Sequence, residues 1–235
     1  MAARAPAAAS ADDAVALVEE GLPRFGVLAA PAAFAAPAYW TDWTSTSNIT
    51  SAVIGDLTVG STTVGVTFSG PYSFAQTSGG TNYWASNPVI YTSATVDNGP
   101  STADIIALNG GGRKTITFSQ SVHNPLIGLV SWNSNTVDFG VPINVLSYGC
   151  GFWGCGTPDV NPAGTGFFGN GEVHGVIQLV GDYTSITFTD TSENWHGITV
   201  GVLGVSTPNT DVPEPASMAL LGGALGALAL ARRKR

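Results

Sequence analysis

Lys114-Thr115-Ile116-Thr117-Phe118 and Ser185-Ile186-Thr187-Phe188 decide the fold class. Successive side chains of an extended strand point to opposite sides, so Ile and Phe fall on one face and Thr or Ser on the other. Half-polar strands of this kind belong to antiparallel sheets with one wet face. Further strands are expected over residues 62–68, 126–132, 143–146, 173–180, 184–189 and 198–205, separated by Gly, Ser, Asn and Pro. No long amphipathic helical pattern interrupts them. Seven to ten such strands imply two sheets packed about 10 Å apart. Residues 39–207 are therefore expected to form one all-β, antiparallel, jelly-roll-like sandwich.

The C-terminus has a different composition. A short polar linker leads into Val212-Pro213-Glu214-Pro215, so that residues 208–215 resist both helix and sheet. An uncharged apolar run over residues 216–231 follows, closed by Arg232-Arg233-Lys234-Arg235. At ~1.5 Å per residue the run reaches about 24 Å, close to the ~30 Å hydrocarbon thickness, so a single transmembrane helix is expected there. Basic residues beside a span stay in the cytoplasm, which puts residues 1–211 outside and residues 232–235 inside.

These three parts in this order resemble the PEP-CTERM sorting signal of exported bacterial proteins, also known as the ice-binding protein C-terminal domain. The resemblance implies transient anchoring in the inner membrane. It further implies recognition by an exosortase through Val212, Pro213, Glu214, Pro215, Arg232, Arg233, Lys234 and Arg235, followed by transfer to the cell surface or extracellular matrix. It covers only the tail and implies nothing direct about residues 39–207. Ice binding itself would need a flat array of threonines, whereas Thr115-Ile116-Thr117 and Thr187-Phe188-Thr189 read as the polar faces of ordinary strands.

Residues 1–38 read as an N-terminal extension with a signal peptide. Gly26-Val27-Leu28-Ala29-Ala30 leads into Ala33-Phe34-Ala35 and Ala36-Pro37-Ala38, two small-x-small patterns, so cleavage is expected after Ala35 or Ala38. Asp12, Asp13, Glu19 and Glu20 stand where a basic region belongs. In an exported chain, Cys150 and Cys155 are expected to form a disulfide. So small a ring gives only ~2 kcal/mol by loop entropy, and its larger effect is to fix a glycine-rich loop that displays Phe152 and Trp153.

Between Tyr39 and Asp211 the basic residues are Arg113 and Lys114, against eleven carboxylates, a formal charge of −9. Such a surface excludes nucleic acid as a partner. No H-E-x-x-H or G-x-S-x-G motif occurs, and His123, His174 and His196 lack ligand spacing. Asp182, Asp190, Glu193 and Glu172 read as solvated loop acids, and the chain reads as non-enzymatic with no cofactor. Calcium is the one cation its loops could hold, through Asp97, Asp104, Asp138 and Asp159. Aromatic residues carry the best binding signal, because Tyr83-Trp84, Trp132, Phe152-Trp153 and Trp195 fall at strand ends or in loops, where a ring can stack on a sugar face. Trp132 reads as core, whereas Trp84 and Trp153 are the candidates for a polysaccharide-binding surface. The expected function is an exported surface or matrix protein whose sandwich binds extracellular polysaccharide without cleaving it. The competing readings are a secreted glycan hydrolase and a structural surface protein without ligand.

Overall fold

The computed structural model describes residues 35–47 and 51–205. The chain runs through β1 (Tyr39–Trp40), β2 (Asp42–Ser47), β3 (Ala52–Val59), β4 (Thr62–Ser69), β5 (Phe74–Gln76), β6 (Ile105–Leu108) and β7 (Gly112–His123). It continues with β8 (Leu126–Trp132), β9 (Thr136–Asp138), β10 (Ile143–Gly149), β11 (Gly156–Val160) and β12 (Gly166–Gly171). β13 (Val173–Leu179), β14 (Asp182–Asp190) and β15 (His196–Val202) complete it. The fifteen strands among the described residues exceed the seven to ten expected. Strands of two or three residues, such as β1, β5 and β9, are too short to show a period of two.

Two antiparallel sheets result. One has the order β10-β13-β8-β15-β6-β5 with β1 beside β15, and the other β11-β12-β9-β14-β7-β4-β3-β2. From β6 to β15 successive strands change sheet at every step except between β11 and β12, so the chain crosses repeatedly between sheets around one core. The two stretches that fixed the fold class become direct neighbours. Ile116 pairs with Ile186 and Thr115 with Thr187 in the β7–β14 ladder, and the two threonine hydroxyls meet at 3.2 Å on the wet face. Pro158 lies in β11, an edge strand, where its missing N–H breaks no ladder.

The core between the sheets includes Trp43, Phe68, Ile116, Phe118, Trp132, Phe167, Ile186 and Phe188. A second apolar cluster, with Trp84, Tyr91, Val96, Ile105, Leu126, Val130 and Val176, covers the opposite face of β8, β6 and β13. Burial on both faces explains why β8 and β15 are buried at every position and do not alternate. The lid of this second cluster is the segment 84–98 with its two 3-10 turns, Trp84–Ser86 and Pro88–Tyr91. Trp84 is 1% exposed, and its indole N–H donates to the Asp104 carbonyl. Its expected place on a binding surface is thereby overturned: its ring closes the core.

The segment 36–38, assigned by sequence to the leader, is tied to the same lid. Ala36 bridges Val96, while the Ala38 amide donates to Asn98 Oδ1 at 2.7 Å and its carbonyl accepts from Asn98 Nδ2 at 2.9 Å. Processing after Ala35 keeps these bonds and processing after Ala38 removes them. The expected mature N-terminus is Ala36, read by intact mass of the exported protein; a mass beginning at Tyr39 would contradict this. Residues 216–231 and the sorting residues lie outside the described residues. Among the described residues no helix is long and apolar enough to cross a membrane.

Candidate functional site

Strand β8 ends in an irregularity that builds the site. Val173 pairs with Trp132 and Gly175 with Leu129, so Val130 and Ser131 together face His174 alone. A bulge of this kind re-aims the side chain that follows it. Ser131 takes φ +58°, a left-handed conformation uncommon for a residue with a Cβ. Its backbone N–H donates to His174 Nδ1 at 3.3 Å, and its hydroxyl donates to Glu172 Oε2. Asn133 Nδ2 donates to Glu172 Oε1 at 2.8 Å, while the Asn133 backbone N–H donates to Glu193 Oε1 at 3.0 Å. One asparagine thus spans two carboxylates.

Behind Glu193 runs a buried chain of charges. Glu193 Oε2 and His196 Nδ1 approach at 3.1 Å, His196 Nε2 and Asp190 Oδ2 also at 3.1 Å, and Lys114 Nζ meets Asp190 Oδ1 at 2.5 Å. Lys114 also donates to the Gly110 carbonyl at 2.8 Å. The side chains of Lys114, Asp190 and His196 are wholly buried and that of Glu193 is 10% exposed. The reading of Asp190 and Glu193 as solvated loop acids is therefore corrected. Lys114 is in phase with Ile116 and Phe118, and Asp190 with Ile186 and Phe188, so the period that buries the apolar residues carries the ion pair inside too. Asp182 is different: it is exposed and bonded to His123.

Burial favours neutral His196, but its bonds to Asp190 and Glu193 outweigh this and hold its pKa above the ordinary imidazole value. Burial raises the Glu193 pKa against the opposing pull of His196 and the Asn133 N–H. His174 has no carboxylate bonded to it, and burial lowers its pKa to about 4, so it is neutral near pH 7.

The disulfide loop forms the outer wall. Cys150 and Cys155 are bonded, and the Gly151 N–H donates to the Gly154 carbonyl at 2.8 Å inside the ring. A Cβ on Gly151 would lie 2.4 Å from the His174 ring, so glycine is what lets the loop press onto β13. This seats Trp153, 55% exposed, beside Tyr83 and Trp195. Ring centroids are 5.0 Å apart for Tyr83 and Trp195, 6.4 Å for Tyr83 and Trp153, and 6.3 Å for Trp153 and Trp195. Phe152 packs edge-on against both Tyr83 and Trp153.

These aromatic side chains and the carboxylates share one cleft of about 680 Å³. Tyr83, Trp153 and Trp195 line it together with Ser131, Asn133, Ser134, Glu172, Glu193 and Asn194. Of the two tryptophans proposed from sequence, Trp153 is at the cleft and Trp84 is not. Asn133 and the inward course of Glu172 and Glu193 had no local signal, because the bulge and the β13 pairing that orient them are long-range. The calcium candidates stay apart in their bonding: Asp104 accepts from the Trp43 N–H, Asp138 from the Gly140 N–H and Asp159 from Asn170. Among the described residues no group of three or more metal-ligating side chains converges.

The fold and cleft define an all-β protein with an aromatic, acidic recess, and the tail defines its route. Residues 211–235 match the family model of the PEP-CTERM protein-sorting motif. The chain thus carries the signal of an exported protein processed at the membrane, and the motif implies an exosortase as the processing enzyme. No curated protein and no solved structure matches the chain.

Proposed function

We propose that the chain is a surface or extracellular-matrix protein whose jelly-roll-like sandwich binds polysaccharide in the cleft without cleaving it. Residues 216–231 would anchor it in the inner membrane until exosortase processing. The repeated crossing of successive strands between the sheets from β6 to β15 supports the jelly-roll reading. The observation that carries the binding reading is the grouping of Tyr83, Trp153 and Trp195 around one cleft with Asn133, Asn194 and two carboxylates. Flat aromatic faces supply stacking area, and a few polar groups fix orientation.

A glycan hydrolase is the second reading, favoured by Glu193, whose pKa is raised, near Glu172. Against it, Glu193 Oε1 accepts from the Asn133 N–H and Oε2 is buried 3.1 Å from His196 Nδ1, so the group faces an imidazole inside the fold. A general acid must instead reach the proton acceptor on the substrate. Trp153→Ala is expected to reduce retention on the producing organism's own polysaccharide by about tenfold, in line with loss of one ring stacked on a sugar at ~1–2 kcal/mol. Unchanged retention would overturn the binding reading. Release of new reducing ends that disappears in Glu172→Gln or Glu193→Gln would replace it with hydrolysis.

A further inference from the structure

We propose that the saccharide recognised in this cleft is a cationic amino sugar, a hexosamine bearing a free ammonium group, with Glu172 as its counter-ion. The inference rests on the polysaccharide-binding reading and names the ligand class of the same site.

Charge pairing inside the site leads to this choice. Lys114 faces Asp190, and His196 lies between Asp190 and Glu193. Each carboxylate of that buried chain thus faces a basic side chain: Asp190 faces Lys114 and His196, and Glu193 faces His196. Glu172 is outside it: its two oxygens accept from the Ser131 hydroxyl and the Asn133 amide, both neutral donors. His174, beside Ser131, is uncharged near neutral pH and adds nothing to the balance. Glu172 thus lines the cleft with hydrogen-bond partners but, among the described residues, no cationic one, and no lysine or arginine among those residues lines the cleft. Each carboxylate oxygen retains a lone pair for a further donor.

The aromatic walls favour the same charge. A ring face carries negative quadrupolar potential, and an ammonium group near tryptophan or tyrosine gains cation–π attraction in addition to stacking of the sugar. Tyr83, Trp153 and Trp195 present three such rings around the recess that contains Glu172. A uronate would set its own carboxylate against Glu172 and Glu193, and like charges juxtaposed in an interface disfavour binding. A neutral N-acetyl sugar stacks equally well but leaves the carboxylate without a counter-ion.

The test uses calorimetric titration of the processed protein with three short oligosaccharides: glucosamine, its N-acetylated counterpart, and a polyuronate of equal length. The glucosamine oligomer should bind about tenfold or more tightly than the N-acetyl form, the size of one charge-assisted hydrogen bond. The polyuronate should not bind. Glu172→Gln should erase the preference for the amine form over the N-acetyl form, and high salt should weaken the wild-type preference without any substitution. Binding of the N-acetyl form as tightly as the amine form would overturn the inference and leave the polysaccharide reading standing. Glucosamine binding unaffected by Trp153→Ala would also overturn it, since the amine would then be adsorbing to the acidic surface. Absence of binding to all three at the cleft would overturn both.

Discussion

Asp190→Ala is expected to lower the free energy of unfolding by about 3–5 kcal/mol, the cost of leaving buried charges without their partner. Asp190 is the only carboxylate bonded to Lys114 among the described residues, and it also meets His196. Its removal leaves a wholly buried ammonium with only the Gly110 carbonyl for a partner. Against a typical total of about 5–15 kcal/mol, this removes a large share of the stability. The Lys114→Met, Asp190→Ala double variant should recover much of the loss, because apolar replacement of a whole buried pair is often neutral. The pH dependence has a defined sign. The stability that comes from raising the His196 pKa is present below the ordinary imidazole value and is lost as pH rises through the raised one. The gap between wild type and Asp190→Ala should therefore narrow toward alkaline pH. Urea unfolding followed by tryptophan fluorescence measures each quantity; a loss below about 1 kcal/mol for Asp190→Ala, the range of exposed pairs, would contradict a buried charge chain.

Glu214→Ala, or deletion of residues 232–235, is expected to abolish sorting. On the proposed anchoring, the basic end would fix the orientation of the apolar run, since lysine and arginine beside a span are retained in the cytoplasm, and Glu214 is the one charged residue of the Pro-Glu-Pro element. Immunoblots of membrane, surface and medium fractions should show the unprocessed chain accumulating in or near the membrane. Normal processing in both variants would contradict exosortase sorting through this tail.

The sheets were legible because two residue types in strict alternation leave little choice. Thr115-Ile116-Thr117-Phe118 and Ser185-Ile186-Thr187-Phe188 proved to be partners in one ladder. The same alternation extends to Lys114 and Asp190, and applying it there would have placed both inside. A charged residue in phase with core residues reads as a buried pair only when its partner is known, and that partner is 76 residues away. Trp84 misled for a related reason. A tryptophan beside a loop has no phase of its own, and the segment that folds it over the outer face of β8 is irregular. Trp153 was legible because the disulfide and surrounding glycines mark a tight projecting loop. The remainder of the cleft depends on the Ser131 bulge, a feature of strand pairing with no mark in the order of residues.

The indole N–H resonances of the six tryptophans give the most direct test of the cleft as a binding site. Titration with the cognate oligosaccharide should move the Trp153 and Trp195 signals, whose rings line the cleft. Those of Trp43, Trp84 and Trp132 should hold still, because their N–H groups are buried and bonded to Thr199, Asp104 and Gly197. Still signals at Trp153 and Trp195 in the presence of bound saccharide would show that it sits elsewhere and would contradict the assignment of this cleft.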